Sequence, residues 1–209
     1  KISAKFSELE WSEKQVRLFY PVLRTSERLY AKHISKFIAV SNVAKERIIK
    51  DLGVEPTRVC TVYNGVDTKL FCKPNEDELE KKYSKPTVVY MGRLMAKKGI
   101  HTLIKAMPKI FSKKPNTHFL FVGGGNVHFY HEILQKMGIS EKNFSFVGHV
   151  GYFERPRILR EASVFVNPSA FELCSLSILE AMSSEAAVVA SNVGGNSEII
   201  KSGKNRVGQ

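Results

Sequence analysis

Residues 167–200, NPSAFELCSLSILEAMSSEAAVVASNVGGNSEII, decide how this chain is read. Two glutamates, Glu172 and Glu180, stand at their centre. Between them the small polar pair Cys174-Ser175 is followed by Leu176, Ile178, Leu179, Ala181 and Met182 at helical spacing. The pattern predicts a strand over 164–166, a loop carrying Glu172, a helix that starts near Ser175 and carries Glu180, and a second strand over 187–190. A helix start leaves backbone N–H groups unpaired and presents the positive end of its dipole. Such a start suits phosphate, and carboxylates on either side suit hydroxyl-rich groups. A ligand with both is a sugar joined to a nucleotide by a diphosphate. The bland alternative is an amphipathic helix with two surface glutamates.

Working outward, the 209 residues are 43% hydrophobic, enough for a packed core in one large or two small domains. The net charge of +12 invites acidic partners: nucleotide phosphates, nucleic acid or an anionic membrane face. Cys60, Cys72 and Cys174 are odd in number and lack ligand spacing. They argue for a reducing, cytoplasmic setting and against a zinc site or disulfide framework. No long uncharged apolar run occurs, so no membrane span is expected. The chain starts at Lys1 inside what reads as an element, which sets the expectation of a piece of a longer protein.

Residues 1–36 are rich in Lys, Arg and aromatics, among them Phe6, Trp11, Phe19, Tyr20 and Tyr30. Pro21 is expected to divide two helical stretches, the second over 23–33. This basic aromatic region reads as a helix pair packed on its own domain, or as a peripheral contact with the cytoplasmic membrane face. A buried-type strand is expected over 37–40. Ser41 or Asn42 would then cap a helix over 43–52, and Gly53 would stop it. Another strand over 59–63 ends at the turn Asn64-Gly65. From Thr87 strands and helices alternate: strands at 87–91, 119–122, 144–147, 164–166 and 187–190, with helices at 100–111, 128–137, around Ile158, and at 197–200. This alternation predicts a Rossmann-like, doubly wound parallel α/β sheet, with ligands at the carboxyl ends of the strands.

The residues Glu172, Glu180, Ala181, Met182, Gly194, Gly195 and Glu198 resemble the donor-site signature of glycosyltransferase family 4, the retaining nucleotide-sugar transferases of GT-B architecture. Ile38 to Ser41, Asn64 to Asp67 and Phe71 resemble the close of the first of that family's two domains, so the likeness runs from Ile38 onward. It implies the tail of an acceptor domain over 1–67, a linker over 68–85, and a donor-binding domain over 86–209. The implied activity is hexosyl transfer, of mannose or glucose for example, from a nucleotide diphosphate sugar to a glycan or lipid-linked acceptor. No metal or other cofactor is implied, and the isolated chain is expected to be inactive for want of the acceptor half.

The loop Gly92-Arg93-Leu94-Met95-Ala96-Lys97-Lys98-Gly99 follows the first strand of that domain. Glycine lets backbone approach a ligand, and two cations can meet one diphosphate from two directions. The resemblance makes Arg93 and Lys98 the phosphate-binding cations. By the same likeness Gly148, His149 and Val150 meet the base, and the N–H groups around Cys174, Ser175 and Leu176 meet the phosphates. Glu172 would hold the sugar and Glu180 the ribose. Gly123-Gly124-Gly125 reads as a turn. Ser175 stands where the family usually has Gly, a strain if φ there is positive. Glu185 replaces a usual Gly and Ala187 a usual Pro. A Rossmann oxidoreductase is disfavoured because no G-x-G-x-x-G opens a helix with an acid downstream. The remaining rival is a non-catalytic nucleotide-binding or nucleic-acid-binding α/β module. No sequence motif supports specific nucleic-acid binding.

Overall fold

The computed structural model describes the backbone of residues 11–84 and 86–201, with side chains from 21–80 and 86–201. Phe6 and the side chains of Trp11, Phe19 and Tyr20 lie outside the described residues. The chain forms two compact units, residues 1–63 and 64–209.

The first unit contains α1 (Trp11–Ala31), β1 (Phe37–Ala39), α2 (Asn42–Leu52) and β2 (Val59–Thr61). β1 and β2 pair in parallel, Phe37 opposite Val59 and Ala39 opposite Thr61. Ala31, Ala39, Ala44, Val54 and Val59 form a small core. Ser41 caps α2, its Oγ accepting from the Ala44 N–H at 3.1 Å. Gly53 ends α2 in the left-handed region at φ 68°, donating its N–H to Ile49 O. Two expectations fail here. α1 runs straight through Pro21, which lies on the exposed side of the helix, where water can serve a carbonyl left without a donor. The Pro21 carbonyl also accepts a bond from Thr25 Oγ1 at 3.0 Å. The 37–40 strand is not buried throughout: Ile38 is 69% exposed, because alternate side chains point away from the face that packs on α2.

The second unit has α3 (Glu76–Ser84), β3 (Thr87–Met91), α4 (Ile100–Phe111), β4 (His118–Val122), α5 (Val127–Lys136), β5 (Phe144–Gly148), α6 (Arg155–Arg160), β6 (Val164–Asn167), α7 (Leu176–Ser183), β7 (Ala187–Ala190) and α8 (Asn196–Ile199). Its sheet is parallel throughout, in the order β5-β4-β3-β6-β7. This is the expected α/β doubly wound architecture. β3 shows why both faces are covered: Val88 and Tyr90 enter one core with Leu103, Ile104, Met107 and Leu134, while Val89 enters the other with Leu159, Phe165 and Ile178.

The stretch expected to be a linker contains α3. Asn75 and Glu78 close a capping box: Asn75 Oδ1 accepts from the Glu78 N–H at 2.9 Å, and Glu78 Oε2 from the Asn75 N–H at 3.0 Å. Arg160 of α6 then holds both oxygens of Glu78, at 2.9 and 2.8 Å. Among the described residues no helix is long and apolar enough to cross a membrane.

Candidate functional site

In this strand order β4 and β5 lie on one side of β3, and β6 and β7 on the other. The strand order thus reverses between β3 and β6, the place where such sheets hold ligands in a crevice at the carboxyl ends of the strands. A cleft of about 600 Å³ occupies that position.

The 92–99 loop forms one wall and is fixed by backbone contacts. Gly92 N–H donates to Val122 O, and Leu94 N–H to Gly124 O, both at 2.9 Å. The Gly123–Gly125 run is more than the expected turn. A Cβ on Gly123 would fall 2.1 Å from Gly92 O, and one on Gly125 2.5 Å from Leu94 O. These glycines let the cationic loop lie directly on the end of β4. Buried Tyr90 donates its hydroxyl to Arg93 O at 2.7 Å, and burial pushes its phenol up from the usual range.

The 168–175 loop is fastened to the first. Ala170 N–H donates to Lys97 O at 3.0 Å, and Gly99 comes so close to Pro168 that a Cβ would fall 1.8 Å from its carbonyl oxygen. Lys98 is thereby brought to Glu172, with Nζ 2.7 Å from Oε1, and Ser169 Oγ donates to the same oxygen at 2.8 Å. The Gly194-Gly195 turn holds Glu172 from behind: Gly195 N–H donates to Glu172 O at 3.1 Å, while a Cβ on Gly194 would fall 1.9 Å from that oxygen. The distant glycine pair thus has a direct physical link to the loop glutamate.

Ser175 begins α7 at φ −77°, ordinary extended backbone, so serine at this position carries no left-handed strain. Its side chain does not cap the helix. It accepts from Asn167 Nδ2 at 3.0 Å and lies 3.1 Å from Ser177 Oγ. Glu185, after the far end of α7, does occupy the left-handed region at φ 55°.

Glu180 is only 4% exposed. Its Oε1 lies 3.4 Å from Nη1 of Arg155, and its Oε2 is buried without a hydrogen-bond partner. Burial pushes the carboxyl up from its ordinary range; the charge and hydrogen bond of Arg155 pull the other way.

Of the residues singled out from sequence, Gly92, Arg93, Lys98, His149, Val150, Glu172, Cys174, Ser175, Leu176 and Glu180 all line this cleft. Arg93 and His149 are exposed, Val150 is buried. Gly148 stands behind the wall: its carbonyl accepts from Gly123 N–H at 2.7 Å, and its φ of 77° turns the chain toward His149. Sequence reasoning missed Arg155, Asn167 and Ser169, which also line the cleft. Asn167 and Ser169 lie inside the 167–200 stretch, where polar residues at a strand end were the available signal. Arg155 carries no comparable cue, since its partner is 25 positions away.

A parallel doubly wound sheet with this cleft at its switch point matches the GT-B glycosyltransferases. HepE from Anabaena, solved in complex with UDP-glucose, superposes with a TM-score of 0.76 at 25% identity, covering 88% of this chain and 53% of that one. The C-terminal domain of a glycosyl transferase group 1 family protein from Francisella tularensis gives 0.59 at 28% identity, covering 68% and 78%. The chain belongs to the glycosyl transferases group 1 family, whose sequence model matches residues 73–207; the glycosyltransferase family 4 model matches residues 7–70. Among curated relatives, an uncharacterized glycosyltransferase of Methanocaldococcus jannaschii is 31% identical over 86% of this chain and 48% of its own length. The UDP-Gal:alpha-D-GlcNAc-diphosphoundecaprenol alpha-1,3-galactosyltransferase of Escherichia coli is 30% identical over 90% and 50%. The chain spans about half the length of these two relatives.

Proposed function

We propose that this chain carries the nucleotide-sugar site of a retaining hexosyltransferase that acts on a glycan or lipid-linked acceptor. The observation that carries the reading is one cleft lined by two kinds of group. Arg93, Lys98 and an uncapped helix start line it together with a buried carboxylate that has an unused oxygen. Breaking a sugar–phosphate bond leaves an oxocarbenium-like sugar and a diphosphate. Developing charge on the diphosphate is best met by fixed donors in a cleft that excludes water. Arg93, Lys98 and the first N–H groups of α7 would supply them without a metal. Glu172, held by Lys98 and Ser169, would orient the sugar hydroxyls. Glu180 would accept from the ribose hydroxyls through Oε2, and the backbone near His149 and Val150 would meet the base. Following the family resemblance, the acceptor's proton would pass to the donor phosphate itself.

The domain assignment belongs to the same proposal: an acceptor-domain tail over 1–67, a linker over 68–85 and the donor domain over 86–209. A cytoplasmic setting accords with the free thiols of Cys60, Cys72 and Cys174. Contact with a membrane face would use the first unit, where Val22, Leu23, Leu29 and Tyr30 are exposed on α1. The lipid-linked substrate named for the Escherichia coli relative makes such an acceptor reasonable here.

Titration calorimetry against UDP-, GDP- and ADP-sugars tests the reading, with labelled-sugar transfer assayed in parallel. One nucleotide series should bind, EDTA should leave its affinity unchanged, and this chain alone should transfer no sugar. A strict need for magnesium or manganese would remove the roles given to Arg93 and Lys98.

A further inference from the structure

Arg155 lines the same cleft as Arg93 and Lys98 but comes from a different element, α6. It opens α6, directly before Pro156, and its guanidinium carbon lies 5.9 Å from the ring centre of Tyr152 while Nη1 reaches Glu180 Oε1. Arginine is thus held between an aromatic face and a carboxylate. The carboxylate is the buried group left with an orphan oxygen. A buried acceptor without a donor is costly, and it is tolerated where a ligand completes it.

We propose that Arg155 is the positioning residue for nucleoside binding in the cleft: by holding Oε1 of Glu180 it keeps this buried side chain a carboxylate, with Oε2 as the acceptor for a ribose hydroxyl. The inference rests on the nucleotide-sugar reading of the cleft and adds to it the residue that makes Glu180 competent. The surroundings leave Arg155 with this task. α7 packs on α6, β6 and β7. The two strands, Val164–Asn167 and Ala187–Ala190, carry no charged side chain. On α6, Arg157 pairs with Glu161 and Arg160 with Glu78. His149 lines the same cleft, and Arg93, Lys98 and Glu172 complete its ionisable lining with Tyr90 and Cys174.

A protonated Glu180 would turn one acceptor oxygen into a donor. Burial already pushes this carboxyl up, and removing the cation takes away the pull that opposes it, so that protonation should begin at still higher pH. The test measures UDP, GDP and ADP affinity by calorimetry between about pH 5.5 and pH 8, for the unaltered chain, Arg155→Met and Arg155→Lys. In parallel, carbon-13 NMR of the glutamate carboxyls follows Glu180 without ligand. Arg155→Met should bind the nucleotide most tightly at the alkaline end and lose affinity at higher pH than the unaltered chain does as Glu180 takes up its proton. Arg155→Lys should recover most of the unaltered profile. The NMR titration of Glu180 should move upward in Arg155→Met by the same interval. An equal loss at every pH, or a Glu180 titration that does not move, overturns the proposal. If none of the three nucleotides binds the unaltered chain, the proposed function and the ribose contact fall together. That failure is distinguishable from one at Arg155, because the NMR experiment needs no nucleotide.

Discussion

The cleft holds two carboxylates, each paired with a cation, and the pairs are built differently. In one, Glu172 receives Lys98 at 2.7 Å and Ser169 at 2.8 Å on the same oxygen, while its backbone carbonyl receives Gly195. In the other, Glu180 is more deeply buried, its contact to Arg155 is longer at 3.4 Å, and its second oxygen has no partner. The satisfied pair is ready before any ligand arrives. The unsatisfied one carries a desolvated acceptor that a ligand hydroxyl would complete, at a cost without it on the order of 1–3 kcal/mol. The difference separates positioning by the protein from recognition awaiting its partner, and it can be broken from either side.

The largest effect is expected from the support behind Glu172. Gly194 has φ 51°, and a Cβ there would meet backbone, not a side chain that could move aside. Gly194→Ala should cost roughly 3 kcal/mol or more in urea denaturation and displace the Glu172 loop. Gly124→Ala is the matched control, since a Cβ there meets nothing within 4 Å. It should stay within about 0.5 kcal/mol of the unaltered chain. Similar losses for both would mean that close approach to Glu172 is not what Gly194 provides.

The glutamates themselves come next. Glu180→Ala should weaken a nucleoside diphosphate and its nucleotide sugar alike, by roughly 1–3 kcal/mol. Glu172→Ala should weaken only the sugar-bearing ligand. Calorimetry with both ligands on both variants checks this, and equal losses throughout would show that the two carboxylates do not divide the work as proposed.

How much of this contrast is legible in the sequence depends on the range of the interaction. Local signals carry far. Apolar runs place β3 and β7 at their observed limits, helical spacing does the same for α4, and Ser41 and Gly53 mark the ends of α2. The unbroken α1 does not follow from Pro21, because proline weakens a helix without deciding whether the flanking turns continue. A missing glycine correctly points to left-handed backbone at Glu185, whereas the same reasoning at Ser175 meets a residue with φ −77°. Both glutamates are visible because they share one helix and its leading loop. The Arg155 contact is not, since it depends on how α6 packs against α7. The glycine run after β4 is visible as glycine, but its task emerges only when the 92–95 backbone lies on it.

The smallest effect expected is the dependence of stability on pH conferred by Glu180. Burial raises its folded-state pKa above the unfolded value, with Arg155 opposing. For an acid shifted this way the folded state holds its proton more tightly, so the linked contribution favours folding below the ordinary glutamate range. It is lost as pH rises from the unfolded pKa through the folded one. Glu180→Gln has no such proton to lose. Denaturation of both proteins near pH 4 and pH 8 should show the variant gaining on the unaltered chain toward the alkaline end, because the amide carries no buried charge to desolvate. The change also leaves the Arg155 cation without its carboxylate partner. Because Arg155 is partly exposed, that loss should be small. Parallel pH profiles for Glu180→Gln and the unaltered chain would mean that solvent reaches Glu180 well enough to erase its burial. The contrast between the two pairs would then rest on the orphan oxygen alone.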